Sequence, residues 1–312
     1  MIRSYYIPNQ GNTMPSRPSV SLTLLLTLLA ASVAVAADLP PEQSLWPEGF
    51  ENPIAYTQDE AVRVNNVRPT SPSGSNRVFN FVSKPTYTIH PAAPGTSTGV
   101  GLVICPGGGY RDVWLDREGH DLAMVLQKQG ITSLVLKYRT NTGSRTEPAF
   151  DWDKYLPAVE ADARQAISIL RKNANELKIN PSKIGISGFS AGGNLAILAA
   201  IFQPTDGNAS GVPDFAGLFY PWLRDDYTQT IEQNGKNIPP LFIMNAVDDR
   251  VTPADKCLQF YTSLLNAKVK TELHLYNQGG HGFDLGLHKG ESTSMWPASF
   301  VAWLKDEGFV EN

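Results

Sequence analysis

Short apolar runs alternate with helical patterns along most of this chain, and that alternation limits the folds open to it. The runs VGLVIC (100–105) and ITSLVLKY (131–138) resemble strands that are covered on both faces. Helical spacing of apolar residues appears at 118–129 and at 155–177. Strands that alternate with helices form βαβ units around a parallel sheet. We therefore predict one doubly wound α/β domain over residues 38–312, with its site at the C-terminal edge of the strands.

The N-terminal segment has a different character from the rest of the chain. An uncharged run, VSLTLLLTLLAASVAVAA (20–37), follows Arg3 and Arg17 and closes with small residues. A basic start, an apolar stretch and an A-x-A ending are typical of a secretory signal peptide. We expect cleavage after Ala36 or Ala37 and a secreted or periplasmic mature protein.

Two alternatives remain open for this segment. The apolar run is long enough to remain as an uncleaved membrane anchor. Translation could also start at Met14, which would give a more compact signal. Residues 1–37 are therefore kept apart from the predicted catalytic domain, and no later segment is long and apolar enough to suggest a membrane span.

Composition excludes several classes of partner and cofactor. The chain has 26 basic and 30 acidic residues, giving a formal net charge of −4, and its basic residues form no stripe that would suit nucleic acid. Its two cysteines, Cys105 and Cys257, lie in a strand-like and a helical pattern. Export would permit a disulfide between them, but we favour two free, mostly buried thiols, and we predict no metal site and no organic cofactor.

The stretch GFSAG contains Ser190 at the junction of a predicted strand and a predicted helix. This context is typical of a nucleophile elbow, a sharp turn that projects a serine hydroxyl above the sheet. Gly188 and Gly192 suit such a turn, because a side chain there would strike the adjoining strand or helix. The alternative is a glycine-rich turn with a serine that caps the helix.

A serine nucleophile needs a base, which follows it in the chain order Ser, Asp, His. His90 and His120 precede the serine, and His274 lies inside a predicted strand. His281, in NQGGHGF, directly follows that strand, whereas His288 lies farther along the loop. We therefore assign the base to His281.

The acid is expected at the end of the strand LFIMNA, in the stretch VDDRVTP, where two carboxylates are available. We favour Asp248 because it is closer to the strand. Asp249 could instead pair with Arg250 or cap the helix that follows. The acid would fix the imidazole tautomer and stabilise the imidazolium.

An oxyanion hole needs two or more backbone N–H groups. The residue after the nucleophile, Ala191, supplies one of them. The glycines of VICPGGGYRDV, which follow a predicted buried strand, supply Gly108 and Gly109. This glycine run lacks both the P-loop pattern and the G-x-G-x-x-G spacing, so we do not interpret it as a phosphate site.

Four motifs carry a family resemblance: CPGGGY (105–110), GFSAGG (188–193), AVDDRV (246–251) and GGHGF (279–283). Together they resemble the α/β-hydrolase superfamily, in particular bacterial esterases related to acetylxylan esterases. The resemblance implies an α/β-hydrolase fold and serine esterase activity. The chain departs from many relatives in having Pro106 where they have histidine, and we see no long lid or cap domain.

These features favour a secreted esterase that removes acetyl groups from xylan-type oligo- or polysaccharide. Among aromatic residues near the strand ends, Tyr110 and Trp222 are the expected sugar contacts. The alternatives are an aryl or feruloyl esterase, a peptidase similar to prolyl oligopeptidases, and a binding protein that lacks activity.

Overall fold

The computed structural model describes residues 39–68, 70–141, 151–202, 204, 207–224 and 226–311. The predicted signal peptide, residues 1–37, lies outside these ranges. So does most of the stretch 140–153, a polar segment for which the sequence predicts a loop that shapes the pocket. Within the described ranges, every helix is too short or too polar to cross a bilayer.

Eleven strands are described. In chain order they are β1 (Gln43–Ser44), β2 (Ala61–Val64), β3 (Arg77–Asn80), β4 (Thr86–His90), β5 (Gly101–Cys105), β6 (Asp112–Val113), β7 (Thr132–Lys137), β8 (Ile184–Phe189), β9 (Ala216–Phe219), β10 (Leu241–Ala246) and β11 (Thr271–Tyr276). Eight of them form the main sheet in the order β1-β4-β7-β5-β8-β9-β10-β11. The six from β7 to β11 in this order are parallel, whereas β4 runs antiparallel to β7 and β1 antiparallel to β4.

Helices lie between the parallel strands and after the last of them. They are α1 (Asp121–Gln127), α2 (Trp152–Lys172), α3 (Ala191–Ile201), α4 (Thr228–Asn234), α5 (Ala254–Asn266), α6 (Glu291–Ser294) and α7 (Trp296–Asp306). A π-helical turn, Asp116–His120, leads into α1. Helix α1 contacts α7, and α2 contacts α3, so that helices cover the two faces of the sheet. This architecture confirms the predicted α/β-hydrolase fold with its mostly parallel sheet.

The sequence pattern and the structure agree best where the chain is most deeply buried. Strand β10 and helix α3 have the predicted limits, and every residue of β5, β7, β8 and β10 is buried. The stretch 77–90 gives two strands in different sheets, because β3 pairs with β2 and β6 in a separate three-stranded sheet. The sequence predicts a second pocket loop at 221–238, but this region contains helix α4.

Both cysteines are buried and free, as predicted. Cys105 ends β5 at the C-terminal edge of the sheet. The carboxyl ends of β5, β8, β10 and β11 meet at this edge, and the four motifs follow directly from them.

Candidate active site

Ser190 occupies a sharp turn between β8 and α3. Its backbone has φ 52° and ψ −114°, a conformation that L-residues adopt only when the surrounding structure enforces it. The enforcing contacts are close. A Cβ on Gly188 would lie 2.0 Å from the Gly192 carbonyl oxygen, and a Cβ on Gly192 would lie 2.0 Å from the Cys105 carbonyl oxygen. The two glycines therefore allow the turn that projects the serine hydroxyl, as the motif indicates.

The serine hydroxyl, the His281 imidazole and a carboxylate form a continuous hydrogen-bonded relay. His281 Nε2 lies 3.0 Å from Ser190 Oγ, and His281 Nδ1 lies 2.8 Å from Asp249 Oδ2. Ser190 is 9% exposed, so its hydroxyl lies at the surface of the site rather than deep in the core. The structure thus brings Ser190 and His281 together from segments 91 residues apart.

The predicted acid, Asp248, is not the residue at the imidazole. The chain turns directly after β10, and the Asp249 N–H donates to the Ala246 carbonyl at 3.1 Å. This turn buries Asp249 and leaves Asp248 exposed, where its Oδ1 accepts the Gly280 N–H at 2.7 Å. The prediction of Asp248 is therefore wrong, and Asp249 takes that place.

The Asp249 carboxylate is held in position by its own turn. Oδ1 accepts the backbone N–H groups of Val251 and Thr252, at 2.8 and 2.9 Å. Oδ2 accepts the Thr252 hydroxyl at 2.7 Å in addition to its bond with His281. Burial acts to raise the pKa of Asp249, but the hydrogen bonds from His281 and Thr252 outweigh it and lower that pKa below its usual value. The carboxylate is therefore ionised at neutral pH.

The glycine loop after β5, residues 106–111, lies beside the serine and is named the oxyanion loop here. Gly107 donates its N–H to Glu118 Oε2 at 2.8 Å. Gly108 has φ 136°, and a Cβ there would lie 2.0 Å from the Asp112 carbonyl oxygen, so only glycine fits. The N–H groups of Gly108 and Gly109 have no protein acceptor within the described part of the chain. They remain available, as our oxyanion prediction requires.

The remaining predicted donor, Ala191, is the first residue of α3, directly after the serine. Its N–H has no intrahelical acceptor at this position, because the first N–H groups of a helix lack one. The helix dipole also favours negative charge at this end. Ala191 therefore stays a predicted donor to the oxyanion.

The predicted sugar contact at Tyr110 is wrong. The side chain is fully buried, and its hydroxyl donates to Asn194 Oδ1 at 2.8 Å. Tyr138, Tyr155 and Trp222 surround its ring, with centroids 5.6 to 6.1 Å away. Tyr110 therefore supports the wall of the site and has no free face for a sugar.

Trp222, the other predicted sugar contact, lies next to the nucleophile. Its backbone N–H donates to the Ser190 carbonyl oxygen at 2.8 Å. The residue is half-buried, and the centroid of its ring lies 5.9 Å from that of Trp152. This location is compatible with a role in substrate binding, which stays a prediction.

The other histidines lie away from the serine. His90 and His120 form a buried pair, with His90 Nε2 2.8 Å from His120 Nδ1. His274 Nε2 lies 2.6 Å from Glu272 Oε1, and His288 is exposed on the loop beside Thr70. Clusters of three or more metal-ligating side chains are absent from the described residues.

Sequence reasoning missed the supports of the loop that carries His281, residues 277–290, named the histidine loop here. Asp284, three residues further on, accepts hydrogen bonds from Arg68 and Arg117, at 2.8 and 2.7 Å. Tyr220 accepts the Asp284 N–H at 3.2 Å, and its ring packs edge-on at 5.3 Å from that of His281. These partners come from distant segments, so no local pattern identifies them.

Comparison with known proteins gives two kinds of likeness. The family model described as BD-FAE matches residues 102–216. An acetylxylan esterase from Xylanibacter ruminicola is 30% identical over 220 residues, which cover 62% of this chain and 43% of that protein. An endo-1,4-beta-xylanase B from Butyrivibrio fibrisolvens is 27% identical over 210 residues, covering 58% of this chain and 32% of that protein. The chain thus spans less than half the length of these two relatives.

Among solved structures, an acetyl ester-xyloside bifunctional hydrolase from Caldicellulosiruptor lactoaceticus superposes with a TM-score of 0.62 at 24% identity. The match covers 88% of this chain and all of that one. At this identity the likeness shows the fold. The chain therefore has the α/β-hydrolase fold and is similar in sequence to acetylxylan esterases.

Proposed function

We propose that this protein is a serine carboxylic-ester hydrolase that removes acetyl groups from xylan-type carbohydrate. The observation that carries the proposal is the relay from Ser190 through His281 to Asp249, with hydrogen-bond distances of 3.0 and 2.8 Å. A hydroxyl, an imidazole and an ionised carboxylate in this order are the parts that acyl transfer to serine requires.

The relay fixes where the proton is held. The ionised Asp249 only accepts hydrogen bonds, so His281 carries its hydrogen on Nδ1, and the lone pair of Nε2 faces Ser190 Oγ. Nε2 therefore accepts the serine proton as Oγ attacks the ester carbonyl. The imidazolium that forms is stabilised by Asp249 at 2.8 Å.

The negative charge moves to the carbonyl oxygen during this attack. The N–H groups of Gly108, Gly109 and Ala191 are the donors for that oxyanion. His281 then gives its proton to the departing sugar oxygen as the carbon–oxygen bond breaks, so the sugar leaves with a free hydroxyl group. Water repeats the sequence on the acyl-enzyme and releases acetate.

Sequence similarity supports the substrate class. One relative is an acetylxylan esterase and another a xylanase, so two relatives of this chain act in xylan breakdown by their names. Trp222, whose backbone N–H donates to the Ser190 carbonyl oxygen, is the aromatic residue that we propose for contact with the sugar. An aryl or feruloyl esterase uses the same relay, so the substrate has to be tested directly.

Acetate release from acetylated xylo-oligosaccharides tests the proposal. We expect turnover by the unaltered enzyme and a loss of roughly a millionfold in kcat for Ser190→Ala, because the nucleophile is removed. Parallel assays with a feruloylated xylo-oligosaccharide and a dipeptidyl amide compare the alternatives. Faster turnover of either of these, or full activity in Ser190→Ala, would contradict the proposal.

We also propose export of the protein, which rests on the sequence of residues 1–37. Expression of the full chain in a bacterial host with separation of the cell fractions tests this. The mass of the exported protein should correspond to a start at residue 37 or 38. Retention of the full-length chain in the membrane fraction would favour the anchor instead.

A further inference from the structure

Glu118 is a buried carboxylate that the proposed mechanism does not use. It lies in the π-helical turn before α1 and is 7% exposed. Its Oε2 accepts the Gly107 N–H at 2.8 Å, and its Oε1 accepts the Tyr220 hydroxyl at 2.7 Å. One side chain therefore binds both the oxyanion loop and the residue that packs against His281.

The hydrogen bonds around Glu118 indicate which form of its carboxyl group fits the site. The Asp284 N–H has one hydrogen, which it donates to Tyr220 Oη at 3.2 Å. The Tyr220 hydroxyl then donates its own hydrogen to Glu118 Oε1, and the Gly107 N–H donates to Oε2. In this arrangement both carboxylate oxygens accept a hydrogen bond. The network therefore fits the ionised carboxylate.

Close packing gives this contact its effect on the site. A Cβ on Gly107 would lie 2.6 Å from Glu118 Oε2 and 3.0 Å from Ser190 Cβ, so the Gly107 backbone passes between the carboxylate and the nucleophile. The next two residues are the proposed oxyanion donors, Gly108 and Gly109. The hydrogen bond to Glu118 fixes the direction from which these two amides reach the substrate.

Glu118 has charged groups nearby on two sides, Arg117 on one and His281 on the other. Arg117, its chain neighbour, pairs with Asp284 of the histidine loop. Tyr220 lies between Glu118 and His281, with the Tyr220 ring 5.3 Å from the imidazole. Burial raises the pKa of Glu118. The hydrogen bonds from Tyr220 and Gly107 and the charges of Arg117 and His281 act in the opposite direction and lower that pKa. The charges of Glu118 and His281 therefore interact across the Tyr220 ring.

We propose that Glu118 is a positioning residue that holds the oxyanion loop and the histidine loop in fixed positions relative to each other. We also propose that its negative charge stabilises the protonated form of His281. The inference rests on the proposed serine mechanism. It assigns Glu118 no contact with the substrate.

The proposal can be tested with a fluorophosphonate that phosphonylates Ser190. The rate of this reaction is measured between pH 5 and 9 from the increase in the intact mass of the protein. This reaction needs the activated serine and the oxyanion donors but no particular ester substrate. For Glu118→Gln we expect the plateau rate to fall about tenfold to a hundredfold, because one oxygen acceptor is replaced by a donor. The acid limb of the profile should move about half a pH unit lower, since a negative charge near the imidazolium is lost.

One further variant tests how Glu118 holds the histidine loop, and another is a control. Tyr220→Phe keeps the Glu118 carboxyl group and its bond to Gly107 but removes the hydroxyl that joins it to Asp284, so its plateau rate should fall, and its acid limb should move no further than that of Glu118→Gln. Glu160→Gln removes a half-buried carboxylate that pairs with Arg164 on α2, and Arg164 binds carbonyls at the far end of α3 from Ser190. That control should leave both the plateau and the acid limb unchanged.

A folded Glu118→Gln variant with the rate and acid limb of the unaltered protein would overturn the proposal. If this variant does not fold, Tyr220→Phe decides, and an unaltered plateau rate there would also overturn it. Phosphonylation of Ser190 in a protein that leaves acetylated xylo-oligosaccharides intact would refute the proposed substrate and leave this test valid. No phosphonylation of the unaltered protein would contradict both proposals.

Discussion

At the residue scale, the two adjacent aspartates after β10 have opposite surroundings. Asp249 is buried and bonded to His281, while Asp248 is exposed and bonded to the Gly280 N–H. Asp249→Asn should lower kcat roughly ten-thousandfold, because an amide at this position can hold the wrong imidazole tautomer. Steady-state hydrolysis of p-nitrophenyl acetate measures the effect.

Asp248→Asn is the matched control. The asparagine oxygen can still accept the Gly280 N–H, so kcat should stay close to that of the unaltered enzyme. A large loss of kcat in Asp248→Asn together with a small one in Asp249→Asn would show that the acid is Asp248 after all.

The two aspartates also show why the sequence predicts where the acid lies better than which residue it is. The stretch VDDRVTP indicates a carboxylate at the end of a strand, and both aspartates satisfy that pattern. Which one faces the imidazole depends on a turn closed by the Asp249 N–H and on the Thr252 hydroxyl. The pattern of a strand end does not specify the turn that follows it. Tyr110 is a similar case, because its place in the glycine-rich stretch is evident from the sequence but its burial is not.

At the scale of elements, the histidine loop has little regular structure and is held by side chains from elsewhere. Asp284 binds Arg68 and Arg117, and its backbone has φ 43°, a conformation that asparagine also tolerates. Asp284→Asn should therefore keep the backbone but weaken both charged hydrogen bonds, at a cost of about 1–3 kcal/mol. We expect a lower Tm and a lower kcat, since His281 lies in the same loop.

Calorimetry and kinetics on Asp284→Asn measure these two effects. Glu307→Gln is the control, because it breaks an ion pair with Lys270, whose side chain is 71% exposed. Such a pair contributes about 0–1 kcal/mol, so Tm should change little. Equal losses in the two variants would contradict a special role for the Asp284 cluster.

Elements that the sequence predicts well are those whose burial is uniform. Strand β10 and helix α3 are apolar at nearly every position, so their limits can be read from the pattern. Strands β2 and β6 are short and pair through β3, a contact between segments far apart in the chain. Helix α4 has one buried residue, Ile231, and hence a weak periodic signal.

At the scale of the whole molecule, the buried pair of His90 and His120 makes stability depend on pH. Burial lowers the pKa of His90 to about 4, and burial together with His90 lowers that of His120 to about 3. In the unfolded chain both would titrate near 6.5. The unfolded state therefore binds more protons between about pH 6.5 and 4, and the free energy of unfolding falls as pH falls through this window.

Urea unfolding between pH 7.5 and 4.5 measures this dependence. Each ring should contribute a slope of up to about 1.4 kcal/mol per pH unit, and no slope above about pH 6.5. The double variant His90→Asn, His120→Asn should show a flatter profile, whereas His288→Gln, at an exposed position, should not. An unchanged slope in the double variant would assign the effect to other groups.

The two cysteines bear on how this protein tolerates its redox environment. Cys105 and Cys257 have no exposed surface, and burial raises the thiol pKa of both, that of Cys257 to about 12. Disulfide exchange proceeds through the thiolate, which neither residue forms at neutral pH in the folded state. Neither thiol of the folded protein is therefore expected to take part in disulfide exchange, and the two cysteines form no disulfide that a reductant could break.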